Sequence, residues 1–517
     1  MSIGLELKLV LLDSHSTVPV GSIHLQTVWQ DVPMNDYPHG NAASFAPSRR
    51  TFVGGTTAIA GAAALGLTAP SVFGQTPRTR MDIVTFAQDA TRLANFEAAV
   101  QEMKDRSAAD ETDPKGWLIV ANTHRDFCPN PMNDPNQMHY CYWFIAWHRA
   151  FISVTERKIR AISGDDGFSY PYWNWSSDRH IPQAFARSGS SLSNAVRFTP
   201  PRRLQDDEVD YNPDDPTLAA LGVAALSARR FEAKTPGRIS RSFGGIARPN
   251  GLGAYGNNRL EGTPHGPVHV YVGGVSDEGD AGDMTDFSTA ARDPIFFAHH
   301  GNLDRLWEIW RQNPARRATE PTSEAFLNHR FVFTWIDGAP IEVPMSDVLD
   351  TTKLGYVYDS LDVFRPTPVG PMASAESTES ASGRPPAIGR QTLRVPLQPE
   401  AVPDENERKL LEITDVEAPT QPMTVSVFVK PATAPADQLG TSIGTFSALR
   451  AGGEIAWPSQ TLTFDITAAA KKYAGQHITV QLIPQRIRAQ GAAPETYPPL
   501  KFGQMRIVSE GASDQHR

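Results

Sequence analysis

Apolar positions along this chain follow two periods, and the change of period divides it. Residues 147–162, WHRAFISVTERKIRAI, carry apolar side chains at helical spacing, with Phe151 and Ile152 three and four positions after His148. Leu303, Leu306, Trp307 and Trp310 repeat that spacing further on. The run 81–107, MDIVTFAQDATRLANFEAAVQEMKDRS, predicts an amphipathic helix. Residues 176 to about 260 are polar, Gly- and Pro-rich and weakly periodic, which predicts long loops over a helical core. Beyond residue 391 the period becomes two, in TLRVPL, MTVSVFVK, TLTFDIT and HITVQLI. The expected fold class is mainly α: a helical core of four-helix-bundle type with long loops, then a small all-β sandwich.

Bulk properties add boundaries and exclusions. A length of 517 residues calls for two or three domains. The net charge of −9 leaves no footprint for nucleic acid or an anionic membrane. Cys128 and Cys141 are the only cysteines, so no disulfide framework holds the fold. Arg49–Arg50 in SRRTFV precede VGGTTAIAGAAALGL, an apolar run too short for a membrane anchor and typical of a twin-arginine export signal. Periplasmic or secreted localisation is expected, with cleavage near Gly74–Gln75. The 47 residues ahead of Ser48 exceed an ordinary signal, so Met34 is the expected true start. Residues 1–74 form the extension and 75–364 the helical domain. Residues 365–391, rich in Pro, Ser, Ala and Glu, form a linker, and 392–508 the β domain.

The histidines supply the chemistry. His265 and His269 are four apart and share a helix face. His299 and His300 follow on a second helix, where neighbours diverge by about 100°, so one of them is expected to be a neighbour of the metal site rather than a ligand. His124, His139 and His148 form a further set, which converges if His139 precedes a helix and His148 lies inside it. Imidazole-only donor sets suit copper or zinc. Two trios describe a binuclear site; a zinc hydrolase using one trio would leave the other unexplained.

WHRAF followed by Glu156, PYWNW at 171–175 and DPIFFAHHGNLDRLW at 293–307 closely resemble the signatures of type-3 copper proteins, the tyrosinase, catechol oxidase and polyphenol oxidase family. The resemblance covers roughly residues 83 to 360 and is nearest to the plant-type enzymes. It implies that His124, His139 and His148 hold one copper ion and His265, His269 and His300 the other. It implies oxidation of o-diphenols to o-quinones with O2 reduced to water, and leaves open hydroxylation of monophenols. A hemocyanin-like oxygen carrier uses the same ligands and is the alternative.

Further residues take expected roles from the same resemblance. Cys128 would form a thioether to His139; a plain buried thiol and a disulfide to Cys141 are the competing readings. Glu261 would hold a water and act as base toward the phenol, or serve only as a helix N-terminal carboxylate. Phe287 would be a gate over the copper pair, or plain packing. Gly266 and Val270 stand directly after His265 and His269, where an Asn after the first is linked in the family to monophenol activity; Gly266 weakens that expectation. Asp304 would orient a ligand histidine, or pair with Arg305 or another cation. Arg149 and Glu156 are expected to be structural. Tyr356 and Tyr358 match a family Tyr-x-Tyr motif at the domain's end. The partners implied are phenols, O2 and the chain's own β domain as a lid, with Phe428 and Phe446 as unranked candidates to enter the site.

Overall fold

A computed structural model describes residues 77–511, except 129–135, 179, 199–224, 248–255, 277–278, 364–390, 396–406, 420, 437, 453, 457–459 and 486–499. The export signal, its cleavage point, Met34 and nearly all of the linker lie outside the described residues. All of the described residues fall within one compact unit, Pro70–Arg517.

Among the described residues, the helices of eight residues or more in the first half are α1 (Ala90–Ala109), α2 (Trp117–Phe127), α3 (Phe144–Ser163), α4 (Gly266–Gly273) and α5 (Ile295–Arg311). The single helix expected over 81–107 is broken. A four-residue turn, Ile83–Phe86, ends first, and Asp89 then caps α1 by accepting from the Arg92 backbone N–H at 3.0 Å. A side-chain cap satisfies an otherwise orphaned donor, so it favours a fresh start there. Helix α3 stops at Gly164, whose φ of 70° turns the chain left-handed. Fifteen of its twenty residues are buried, which makes it the central helix of the core.

Strands β1 (Arg78–Arg80) and β4 (Tyr356–Tyr358) pair in parallel and bring the two ends of this half together. Between them in sequence lies the hairpin of β2 (Arg330–Thr334) and β3 (Pro340–Pro344). Arg80, wholly buried, donates to Glu156 of α3 at 2.9 Å and to Asp304 of α5 at 3.1 Å. Asp304 also accepts from Arg149 of α3, and the hydroxyls of Tyr356 and Tyr358 donate to it at 2.5 Å. Buried charges survive only when paired and hydrogen-bonded. This network does both, and it fixes α3 against α5. Asp304 is therefore a structural hub. None of its partners is a histidine, because two guanidiniums and two phenols fill its lone pairs, and Arg305 bonds instead to Asn302 and to backbone carbonyls.

The second half is a sandwich. A five-stranded sheet, ordered β5-β11-β7-β8-β9, comprises β5 (Gln391–Val395), β7 (Met423–Pro431), β8 (Thr441–Ala451), β9 (Glu454–Ala456) and β11 (Ile478–Gln485). The second sheet orders β10 (Gln460–Asp465), β6 (Arg408–Val416) and β12 (Met505–Glu510) as β10-β6-β12. Val425, Val427, Val429 and Phe446 fill the space between the sheets. The mainly α core with a small all-β sandwich matches the expected fold class.

The five-stranded sheet packs on the helical half. Leu449 of β8 belongs to the helical core, and a side chain on Gly266 of α4 would run into Ser447. Polar bonds stitch the seam: the Phe287 N–H donates to the Arg450 carbonyl at 2.8 Å, and the Asn257 N–H to Gln460 Oε1 at 3.0 Å. Phe446, one candidate for entering the site, faces the sandwich interior instead, and neither it nor Phe428 joins the helical core. The alternation of β8 puts Phe446 on one face and Ser447 and Leu449's face on the other.

Candidate metal centre

The histidines gather into two buried groups. In each, the potential ligand atoms lie within 4.8 Å of one another: His124, Cys128, His139 and His148 in the first, His265, His269, His299 and His300 in the second. All seven imidazoles are at most 1% exposed. His124 comes from the last turn of α2 and His148 from the first turns of α3, while His139 stands on the segment before α3. His265 closes a π-helical turn, Glu261–His265, that leads into α4, which carries His269; α5 carries His299 and His300. The groups face each other, with the rings of His148 and His300 stacked at 4.1 Å and 8° and those of His139 and His265 at 5.3 Å.

Backbone carbonyls orient three of these rings. His124 Nδ1 donates to Phe287 O at 2.7 Å, His148 Nδ1 to Phe144 O at 2.8 Å and His269 Nδ1 to Met284 O at 2.7 Å. A carbonyl can only accept, so the proton sits on Nδ1 and the Nε2 lone pair is left for a metal. The Nε2 atoms of His124, His139, His148 and His265 are buried without a hydrogen-bond partner. Such orphaned acceptors are costly unless a cation completes them. Burial pushes His124 down to about 3 and His269 to about 4, and lowers the other five as well, so the rings are neutral ligands at neutral pH. The residues present fit a pair of copper ions.

Residues 114–313 match the common central domain of tyrosinase, and 320–366 the polyphenol oxidase middle domain. Residues 114–366 thus carry the domains of the type-3 copper tyrosinase and polyphenol oxidase family. Aureusidin synthase of Antirrhinum majus is 32% identical over 348 residues, covering 62% of this chain and 60% of that one. Catechol oxidase B, chloroplastic, of Solanum tuberosum is 29% identical over 304 residues, covering 56% and 50%. The match thus spans about half to three fifths of these relatives' length. Latent apple tyrosinase shares the fold at a TM-score of 0.60 and 21% identity, covering 84% of this chain and 97% of that one.

Within the family domain, Glu261 lies beside the first group. Its carboxylate accepts from the Tyr140 N–H at 2.9 Å and from Asn258 Nδ2 at 3.1 Å, and Oε1 is 3.4 Å from His139 Nδ1. Tyr140 has φ of 63°, a left-handed backbone that is strained for a tyrosine. Burial raises the Glu261 carboxyl well above the usual range, and the Tyr140 N–H opposes this. The Phe287 ring packs at 4.2 Å from that of His139 and at 6.2 Å from that of His265, so it reaches both groups. Gly266 and Val270 are buried, Gly266 beneath β8. Cys128 lies within the first group, and Cys128 and Cys141 are not joined to each other.

His299 enters the second group although neighbouring helical residues diverge. Its Nδ1 accepts from the Trp175 indole at 3.1 Å, which distinguishes it from His300. Phe296 escaped the sequence reading. It packs at 4.7 Å from His124 and 4.3 Å from His300, bridging the groups. It stands four residues before His300, a same-face spacing that was available as a signal. Asn258 stands three residues before Glu261, a local spacing that was also available, whereas Tyr140 carried no such signal, because only folding brings it to Glu261.

Proposed function

We propose that this chain is a copper-dependent phenol oxidase, in which two molecules of o-diphenol and one O2 give two of o-quinone and two of water. The observation that supports it best is the pair of facing imidazole groups with bare Nε2 atoms. In this reading His124, His139 and His148 hold one copper ion and His265, His269 and His300 the other. Bound copper would supply the electron transfer between phenol and dioxygen. The remaining tasks fall to the chain. Glu261 Oε1, the oxygen not taken by Asn258, accepts the phenolic proton, and burial makes it a stronger base than an ordinary carboxylate. Phe287 and Phe296 form the apolar walls that keep bulk water from the metals. Gly266 offers no side chain to help Glu261, which favours diphenols over monophenols. Cys128 is assigned a thioether to His139, and Arg49–Arg50 an export signal.

The β-sandwich is assigned the role of an intramolecular lid, so the intact protein is latent. Strand β8 lies against α4 and against the Phe287 backbone, both of which carry parts of the site. A tethered lid needs only a weak interface to stay closed most of the time. The test is limited proteolysis between residues 364 and 390, followed by copper analysis and catechol oxidation on the separated core. Two copper ions per core and a rate increase on cleavage are expected. Zinc without copper, or no turnover of catechol by a copper-loaded core, would overturn the oxidase reading. A copper-loaded core no faster than the intact chain would overturn the lid alone.

A further inference from the structure

One short segment serves both histidine groups. Met284 O accepts from His269 Nδ1 and Phe287 O from His124 Nδ1, each at 2.7 Å. A bond at Nδ1 fixes the orientation of a ligand ring and raises the basicity of the nitrogen left for the metal. The placement of residues 284–287 therefore bears on one ligand of each group.

The two ends of that segment are held by different halves of the molecule. The Met284 end is pinned inside the helical half. The Asp283 N–H donates to Val196 O at 3.0 Å, Asn194 Nδ2 to Asp283 Oδ2 at 2.9 Å, and Thr285 Oγ1 to Gly274 O at 3.0 Å. The Phe287 end is held by the sandwich. The Phe287 N–H donates to the carbonyl of Arg450, near the end of β8, at 2.8 Å, and Asp286 Oδ1 accepts from the Gly452 N–H at 3.2 Å. Asp286 and Arg450 form a parallel bridge, so this end is joined to β8 as a strand would be. Phe287 is 1% exposed, so its N–H has no water to turn to while the halves stay together. Phe287 in turn touches the first group twice, through its carbonyl to His124 and through its ring, 4.2 Å from that of His139. It meets the second group through its ring alone, at 6.2 Å from His265 and 6.4 Å from His269.

We propose that the end of β8 is a strut of the first metal group: Arg450 and Gly452 position Phe287, and through it His124, so the sandwich helps to retain the first group's ion. The second group, oriented by Met284, does not depend on the strut. The proposal rests on the copper reading given above. It assigns the sandwich a task apart from covering the site: parting the halves loosens one ion of the two, even where saturating copper still fills both.

The test is copper retention by the intact, copper-loaded chain in excess EDTA, with bound metal counted over time. Gly452→Pro removes the donor N–H and cannot take the observed φ of 62°, since proline holds φ at about −65°. Gly452 precedes only the edge strand β9, so the sandwich core should survive, as a thermal melt would show. One ion should leave about fivefold faster than from the parent chain, the scale of one lost hydrogen bond, and the other at an unchanged rate. The same substitution should speed loss from His300→Ala, whose remaining ion lies in the first group, and not from His148→Ala, whose ion lies in the second. If Gly452→Pro lacks a cooperative melt, Asp286→Ala takes its place and should show the same selective loss, with Asp286→Asn, which keeps an acceptor oxygen, close to the parent. Unchanged retention in the folded variants, equal acceleration of both ions, or an effect confined to the His148→Ala chain would overturn the strut alone. A chain that takes up no copper would overturn the oxidase reading and the strut with it.

Discussion

Ser447 occupies the space that a side chain on Gly266 would need. A Cβ built on Gly266 falls well inside contact with Ser447 Oγ and lies 3.4 Å from Leu449 Cδ1. The residue beside His265 is thus the place where the sandwich rests on the site. The Ser447 hydroxyl itself is buried without a partner, so the contact is close but not hydrogen-bonded.

Substitution of Gly266 therefore has two expected outcomes. In the intact chain Gly266→Asn should loosen the β half, seen as faster protease cleavage and catechol oxidation raised severalfold before any cleavage. In the isolated core, where nothing is displaced, it should raise tyramine hydroxylation relative to catechol oxidation. Unchanged protease sensitivity in the intact variant would show that β8 does not rest there in solution.

The two neighbouring histidines should separate under mutation. His148→Ala and His300→Ala are expected to bring copper below two per chain and catechol oxidation down by at least about a hundredfold, the scale of losing a group that acts on the transition state. His299→Ala should keep copper near two, because Trp175 already engages one of its ring nitrogens. Full copper in His300→Ala with loss in His299→Ala would reverse the assignment.

A Cys128–His139 thioether should appear in a digest as one cross-linked peptide, about two mass units lighter than its parts, since two hydrogens are lost on oxidation. Cys128 that reacts with an alkylating reagent in the denatured copper protein would refute the bond.

Acid should destabilise the copper-free protein. The seven buried histidines have folded pKa values below the ordinary 6.5, so the unfolded chain binds more protons as pH falls. Their contribution is present above about pH 6.5 and is lost toward the folded values, about 3 for His124 and about 4 for His269. Glu261 works in the opposite sense, as do Asp82, Asp283 and Glu320, whose carboxyls burial also raises, but these four groups stand against seven histidines. The Tm should drop steadily between pH 7 and pH 4; a Tm flat or rising on acidification would contradict this.

Periodicity and motif order made the helical core, the strand-rich end and the histidine sets legible, because each depends on residues close in sequence. His265 and His269 sit four apart, and the alternation of β7 needs no knowledge of what it packs against. What covers each face is another matter. Thr424 and Ser426 are the polar positions that alternate with Val425 and Val427, yet both are buried, because the face opposite the sandwich core meets the helical half. Asp304 lay at a plausible distance from His300 in sequence. Only the meeting of β1, α3, α5 and β4 surrounds it with Arg80, Arg149, Tyr356 and Tyr358. The Tyr140 N–H reaches Glu261 across 121 positions, and Ser447 reaches Gly266 across 181. Contacts of that range carry no periodic signal, since local propensity sets how a segment folds and burial against distant segments decides what it touches.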